Sequence, residues 1–252
     1  CPWCAGATRQ DERPLPTQPG AAATTAPRVQ TWLQGDGRLL VTDSEGRRLG
    51  YVGGQLIDEM PDAFATVLPG GLGYETQPVF YLPDSRAFTF DVSGQGSAVD
   101  VAQYGPGYAA SVEGLTTGPQ AQRVSISADG HTVGLAPSST QSPSLSLIAE
   151  SGQVSLRLAI DPDQVKQGDT VTMRQDSATG RLVYSHKDAG QGTYTVSLRR
   201  VTTGGLQEFT HRQVAIGATD THYIGYGAWN GQEGVTVQID RQSDGTIDES
   251  KT

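Results

Sequence analysis

The residues best spaced for chemistry lie near the C-terminus. Asp240-Arg-Gln-Ser-Asp244-Gly-Thr246-Ile-Asp248 puts oxygen-bearing residues at the first, fifth, seventh and ninth places of a calcium-loop pattern, with Gly245 at the sixth. Gln242 fills the third place with a neutral, weaker oxygen, and the twelfth place lacks the usual bidentate Glu. Two readings stay open. Asp240, Asp244, Thr246 and Asp248 form a calcium site, the one cofactor the chain suggests, or they form an acidic turn after the last strand.

The only cysteines are Cys1 and Cys4, in Cys1-Pro-Trp-Cys4. A redox pair of this spacing belongs at a helix N-terminus in a βαβ setting. Here a stretch rich in Pro, Ala, Thr, Gln and Gly follows, so the pair reads as anchoring or cross-linking. Its forms would be a lipid on Cys1, a disulfide within the pair, or one between subunits.

No catalytic set stands out. The four histidines, His131, His186, His211 and His222, lie far apart and read as surface or strand residues. Asp220-Thr221-His222 has no nucleophile elbow beside it. Carboxylate pairs such as Asp58-Glu59 and Asp161/Asp163 would suit glycoside hydrolysis, but aromatics are only 7% of the chain, too few to line a typical sugar cleft as well as a core. Trp229, in Gly-Ala-Trp-Asn-Gly, and Trp32, just ahead of the first expected strand, are the two candidate carbohydrate platforms; burial under a sheet edge is the alternative for both. Gly-rich Pro69–Gly73 lacks the Lys of a phosphate loop and reads as a turn.

The elements that must position these residues are strands. Phe88, Phe90 and Val92 alternate with polar residues, as do the runs 99–104, 124–126, 145–147, 154–160, 170–173, 182–184, 194–198, 209–216, 222–226 and 235–239. Period-two alternation gives one buried and one wet face, the pattern of antiparallel sheets. Asp/Gly turns at 43–46, 128–130, 176–180 and 188–190 join the runs. One helix is expected, within 55–67, cut short by Pro61. The fold class is therefore all-β: one or two antiparallel sandwiches, immunoglobulin-like or jelly-roll-like. The expected organisation is an extended segment over 1–30, a first domain over 31–115, a connecting segment over 116–152 and a second domain over 153–252.

The formal net charge of −9 and the scattered basic residues exclude a nucleic-acid partner. No run of about 18 apolar residues suggests a membrane span. Residues 1–30 are too poor in apolar groups to build a core. Ordering them takes a partner, and residues 21–33 could add as a strand to a neighbouring copy.

Asp43-Ser-Glu-Gly-Arg-Arg-Leu-Gly50, Glu59-Met-Pro-Asp-Ala63 and the closing Val237–Asp240 and Asp244–Asp248 resemble β-sandwich modules of bacterial secreted and cell-surface proteins. Asp62 stands where those modules carry glycine. The resemblance implies an extracellular or cell-surface protein without catalysis. Three expectations follow. The first is a structural subunit of a filament or layer, whose partners are copies of itself joined in donor-strand fashion. The second is an adhesion module binding surface glycans or proteins. The third, and least supported, is a secreted hydrolase.

Overall fold

The computed structural model describes residues 27–66, 77–187, 190–232 and 234–252. The first strands are β1 (Arg28–Gln34), β2 (Arg38–Asp43), β3 (Arg48–Val52), β4 (Gln55–Asp58), β5 (Phe64–Thr66), β6 (Val79–Pro83) and β7 (Phe88–Ser93). Then come β8 (Ala98–Gly105), β9 (Tyr108–Thr116), β10 (Gln122–Ile126), β11 (Thr132–Ala136), β12 (Ser144–Ser151), β13 (Val154–Pro162) and β14 (Thr170–Asp176). The last are β15 (Arg181–Lys187), β16 (Gly192–Thr202), β17 (Gly205–Ile216), β18 (Thr221–Gly225), β19 (Val237–Asp240) and β20 (Glu249–Lys251).

They form two antiparallel sheets packed on each other. One has nine strands in the order β17-β16-β13-β12-β9-β8-β1-β6-β5, and the other eleven in the order β20-β19-β18-β15-β14-β11-β10-β7-β2-β3-β4. From β8 onward the chain lays down hairpins alternately, β8–β9 in the nine-stranded sheet, β10–β11 in the eleven-stranded sheet, and so on to β18–β19. Each hairpin pairs with the previous one of its own sheet, so the sheets grow together two strands at a time. Residues 116–152, expected as a connection, supply β10 and β11 to one sheet and β12 to the other.

Alternation decides which faces meet. Phe88, Ile126, Val133, Met173, Tyr184, His222 and Ile239 stand opposite one another across seven strands. All seven are buried. A single cluster of buried side chains runs from Val29 to Val235.

Three expectations are corrected. Residues 55–67 give no helix over their described part: β4 and β5 flank a turn, because Pro61 interrupts any helical run and Phe64 pairs with Tyr81. The extended segment was expected to reach residue 30, but β1 begins at Arg28. Val29, Thr31 and Leu33 point into the core, and β1 is held between β6 and β8 of its own chain. Residues 28–33 are therefore already paired and are not a free donor strand. The rest of the expected N-terminal segment, with Cys1 and Cys4, lies outside the described residues, as does the Gly-rich turn at 69–73. Among the described residues no helix is long and apolar enough to cross a membrane.

Phe90 is fully buried, facing Val41 and Val124 on the neighbouring strands. Phe90→Ala should cost about 3–5 kcal/mol in urea unfolding, whereas exposed Glu45→Ala should stay within about 0.5 kcal/mol.

Candidate binding furrow on the nine-stranded sheet

The outward positions of the nine-stranded sheet fall into rows, because every strand's register is fixed by its buried face. One row crosses all nine strands: Phe64, Tyr81, Gln30, Tyr104, Ala109, Ile148, Arg157, Arg199 and Glu208. The adjacent row begins at Trp32 and continues through Ala102, Ser111, Ser146, Ala159 and Ser197 to Thr210. After Trp32 that row is all small residues, so it is a furrow floor. On its other side stand Asp100, Glu113 and Asp161. A β-bulge between Val99 and Val101 sets Asp100 there, and its carboxylate accepts the Gly114 amide at 2.7 Å. The row spans six interstrand steps, about 29 Å at about 4.8 Å each, and Ser146 and Ala159 at its middle are buried.

Its two open parts are a groove of about 510 Å³ beside Trp32 and one of about 300 Å³ toward Thr210, both lined by Arg157 and Arg199. Arg157 lies across the floor between them. Its Nε donates to Ser146 Oγ at 2.9 Å and its Nη2 approaches Glu113 Oε1 at 3.4 Å, while Ser111 Oγ donates to the same oxygen at 2.8 Å. Arg199 pairs with Glu208 at 3.4 Å. Both arginines are thus balanced by carboxylates. Trp32 stacks on Tyr104 with centroids 4.4 Å apart and planes 15° apart, and Tyr104 is 44% exposed. At the far end of the sheet Phe64 stacks on Tyr81 at 4.8 Å, with the Arg28 guanidinium 5.0 Å from the Phe64 centroid.

The expected site residues are placed as follows. Asp240, Asp244, Thr246 and Asp248 share the β19–β20 turn. Asp240 accepts the amides of Asp244 at 3.1 Å and Gly245 at 2.9 Å, Asp244 accepts that of Thr246 at 2.8 Å, and Asp248 accepts that of Arg241 at 2.8 Å. These bonds brace the turn's own backbone. Among the described residues no three His, Cys, Asp or Glu side chains are grouped to hold a metal ion. Trp229 is only 5% exposed and meets Phe209 edge-on at 6.4 Å, so it offers no platform; Phe209 and the β16–β17 hairpin cover it. Trp32 keeps an accessible face. Glu59 is paired with Arg48 at 2.7 Å, and Asp163 accepts the Thr193 hydroxyl.

Of the histidines expected as surface or strand residues, His186 and His222 are buried strand residues. His186 Nε2 sits 3.1 Å from Asp169 Oδ2, and Tyr194 Oη lies 2.8 Å from His222 Nδ1. Tyr184 packs against Tyr194 with centroids 4.7 Å apart, and burial raises both phenol pKa values. Burial pushes the His222 pKa down to about 4, outweighing the opposing pull of Asp220, whose Oδ2 is 4.0 Å from Nε2. A neutral ring accepting the Tyr194 proton at Nδ1 carries its own proton on Nε2, toward Asp220. Both Asp220 and His222 are buried, and the Tyr194 hydroxyl takes up Nδ1 of the ring.

Sequence reasoning missed Tyr104, Asp100, Glu113, Arg157 and Arg199. Their signal is the small outward residues between them, visible only once strands far apart in sequence are paired. No protein-family model, curated protein or solved structure matches this chain.

The His222 pKa gives a signed expectation. The unfolded ring, near 6.5, binds a proton that the folded ring, near 4, does not. Stability is therefore full above pH 6.5 and falls as pH drops toward 4, by about 3 kcal/mol in all. Urea unfolding at pH 7, 5.5 and 4.5 checks this, and His222→Gln should flatten the slope across that window.

Proposed function

We propose that this is a non-enzymatic extracellular or cell-surface β-sandwich protein that binds a linear, uncharged polysaccharide along the furrow of its nine-stranded sheet. One observation carries the reading: a small-residue floor crosses seven strands and ends on the stacked Trp32–Tyr104 pair. A sugar ring presents an apolar face that packs on such a pair and hydroxyls that both donate and accept. The furrow walls supply matching groups, arginine N–H donors on one side and carboxylate acceptors on the other. Arg157 and Arg199 are already balanced by Glu113 and Glu208, so neither furrow arginine carries spare positive charge for a polyanion.

A second reading, self-assembly into a filament or layer, is favoured by β17. This twelve-residue strand closes one edge of the nine-stranded sheet, and most of its residues are exposed. An unpaired edge is a template for strand addition, and residues 1–26, with Cys1 and Cys4 as anchor or cross-link, are the segment that could supply the strand.

An array of neutral and acidic polysaccharides should give binding to neutral linear chains only. Trp32→Ala and Arg157→Ala should each weaken it about tenfold with the fold intact by circular dichroism. Absence of any neutral-glycan binding rules the reading out. For assembly, sedimentation should show polymers from the full chain and monomers after deletion of residues 1–26; polymers that survive the deletion exclude donor-strand joining.

A further inference from the structure

A second concave site lies at one end of the sandwich, away from the furrow, where the turns of the two sheets face each other. It is a cleft of about 440 Å³ whose lining includes Tyr108, Tyr226, His131, Gln175, Asp129 and Glu150. Its parts come from both sheets: the β8–β9 and β12–β13 hairpins on one side, the β10–β11 and β14–β15 turns and the end of β18 on the other.

The two tyrosines are seated by backbone and by buried amides. The Tyr108 ring lies so close to Gly130 that a Cβ there would be 2.0 Å from it. Its hydroxyl takes a hydrogen bond from Gln103 Nε2 at 2.9 Å, and Gln103 is in turn bonded by Thr31 in the core. Tyr226 follows β18, where its own amide and that of Gly227 both donate to Gly180 O at 2.9 Å. Its hydroxyl takes Gln175 Nε2 at 3.1 Å. Gly180 and Gly227 touch so closely that a side chain on Gly180 would strike Gly227 Cα at 2.7 Å. These contacts preorganise the cleft without using its open face.

Three features select the ligand. Asp129 and Glu150 are carboxylates on the lining, and no Lys or Arg is among the lining residues. His131 lines the cleft with its Nδ1 buried and without a hydrogen-bond partner. Two phenol rings attract a cation placed over them within about 6 Å. The carboxylates repel anions. The absence of a three-ligand His/Asp/Glu group among the described residues argues for an organic cation over a metal ion.

We propose that this cleft binds a primary alkylammonium group, with Glu150 and Asp129 balancing its charge and accepting its N–H groups, and Tyr108 and Tyr226 packing its methylenes. The group could belong to a free polyamine or to a lysine side chain of a partner protein.

The test is a ¹⁵N-edited NMR titration of the full chain, following the Gln175 side-chain amide and the His131 backbone amide. The probes are spermidine, a short lysine-containing peptide, tetramethylammonium, calcium chloride and glucose. Saturable shifts with spermidine or the peptide, weakened about fivefold in exposed Glu150→Gln and again in Tyr226→Leu, support the site. The tighter of those two probes identifies the source. Tetramethylammonium, which has no N–H to give, should bind more weakly than either. The proposal is overturned by no saturable shift, by an equal response to calcium or glucose, or by binding unchanged in Glu150→Gln. Glu150→Gln leaves the furrow untouched, so a failure here is separate from any failure of glycan binding.

Discussion

Everything on the surface of this protein depends on strand register. Side chains alternate faces with a period of two, so a one-residue slip in any strand would exchange its buried and exposed sets. The core prevents that slip. Val29, Leu33, Val101, Val112, Leu147, Leu158 and Leu198 are buried on the inner face of the nine-stranded sheet, and each fixes its strand's phase. The outward rows follow from that constraint. A furrow across seven strands exists because seven independent registers all put a small residue, or Trp32, in one line.

The alternating hairpins bind the two sheets into one packing unit. Each two-strand step in one sheet is followed by a step in the other, so the inner faces are added together along the chain. The same arrangement gathers turns from both sheets at the ends of the sandwich, which creates the cleft between Tyr108 and Tyr226. The polar end of the core fits this picture. The row that is apolar at Phe88 and Ile126 turns polar at Tyr184 and His222 before it closes on Ile239, and Tyr194 from the facing sheet meets His222 Nδ1. His222 is thereby kept neutral, and core stability is tied to pH.

Much of the fold was legible in the sequence, since strong alternation marks strands directly. Phe88–Val92 and Val154–Ile160 carry enough branched and aromatic residues to be read at once. β9 and β11 were not, because Tyr108-Ala-Ala-Ser-Val-Glu-Gly-Leu-Thr and Thr132-Val-Gly-Leu-Ala are too rich in small residues to show a period. β1 escaped for a different reason: Val29, Thr31 and Leu33 alternate inward, but they follow a Pro- and Thr-rich stretch that hides the onset. The candidate site was legible only at Trp32. Its remaining parts, from Tyr104 to Arg199, are ordinary outward residues whose meaning comes from pairing. Trp229, which looked the better platform, is taken up by packing against Phe209.

The most direct measurement of the central claim is hydrogen exchange read by mass spectrometry, with and without a saturating neutral polysaccharide. The furrow account predicts slowed exchange confined to peptides spanning 28–34, 98–116, 144–162 and 192–212. Protection confined to the eleven-stranded sheet, or none at saturation, would contradict it.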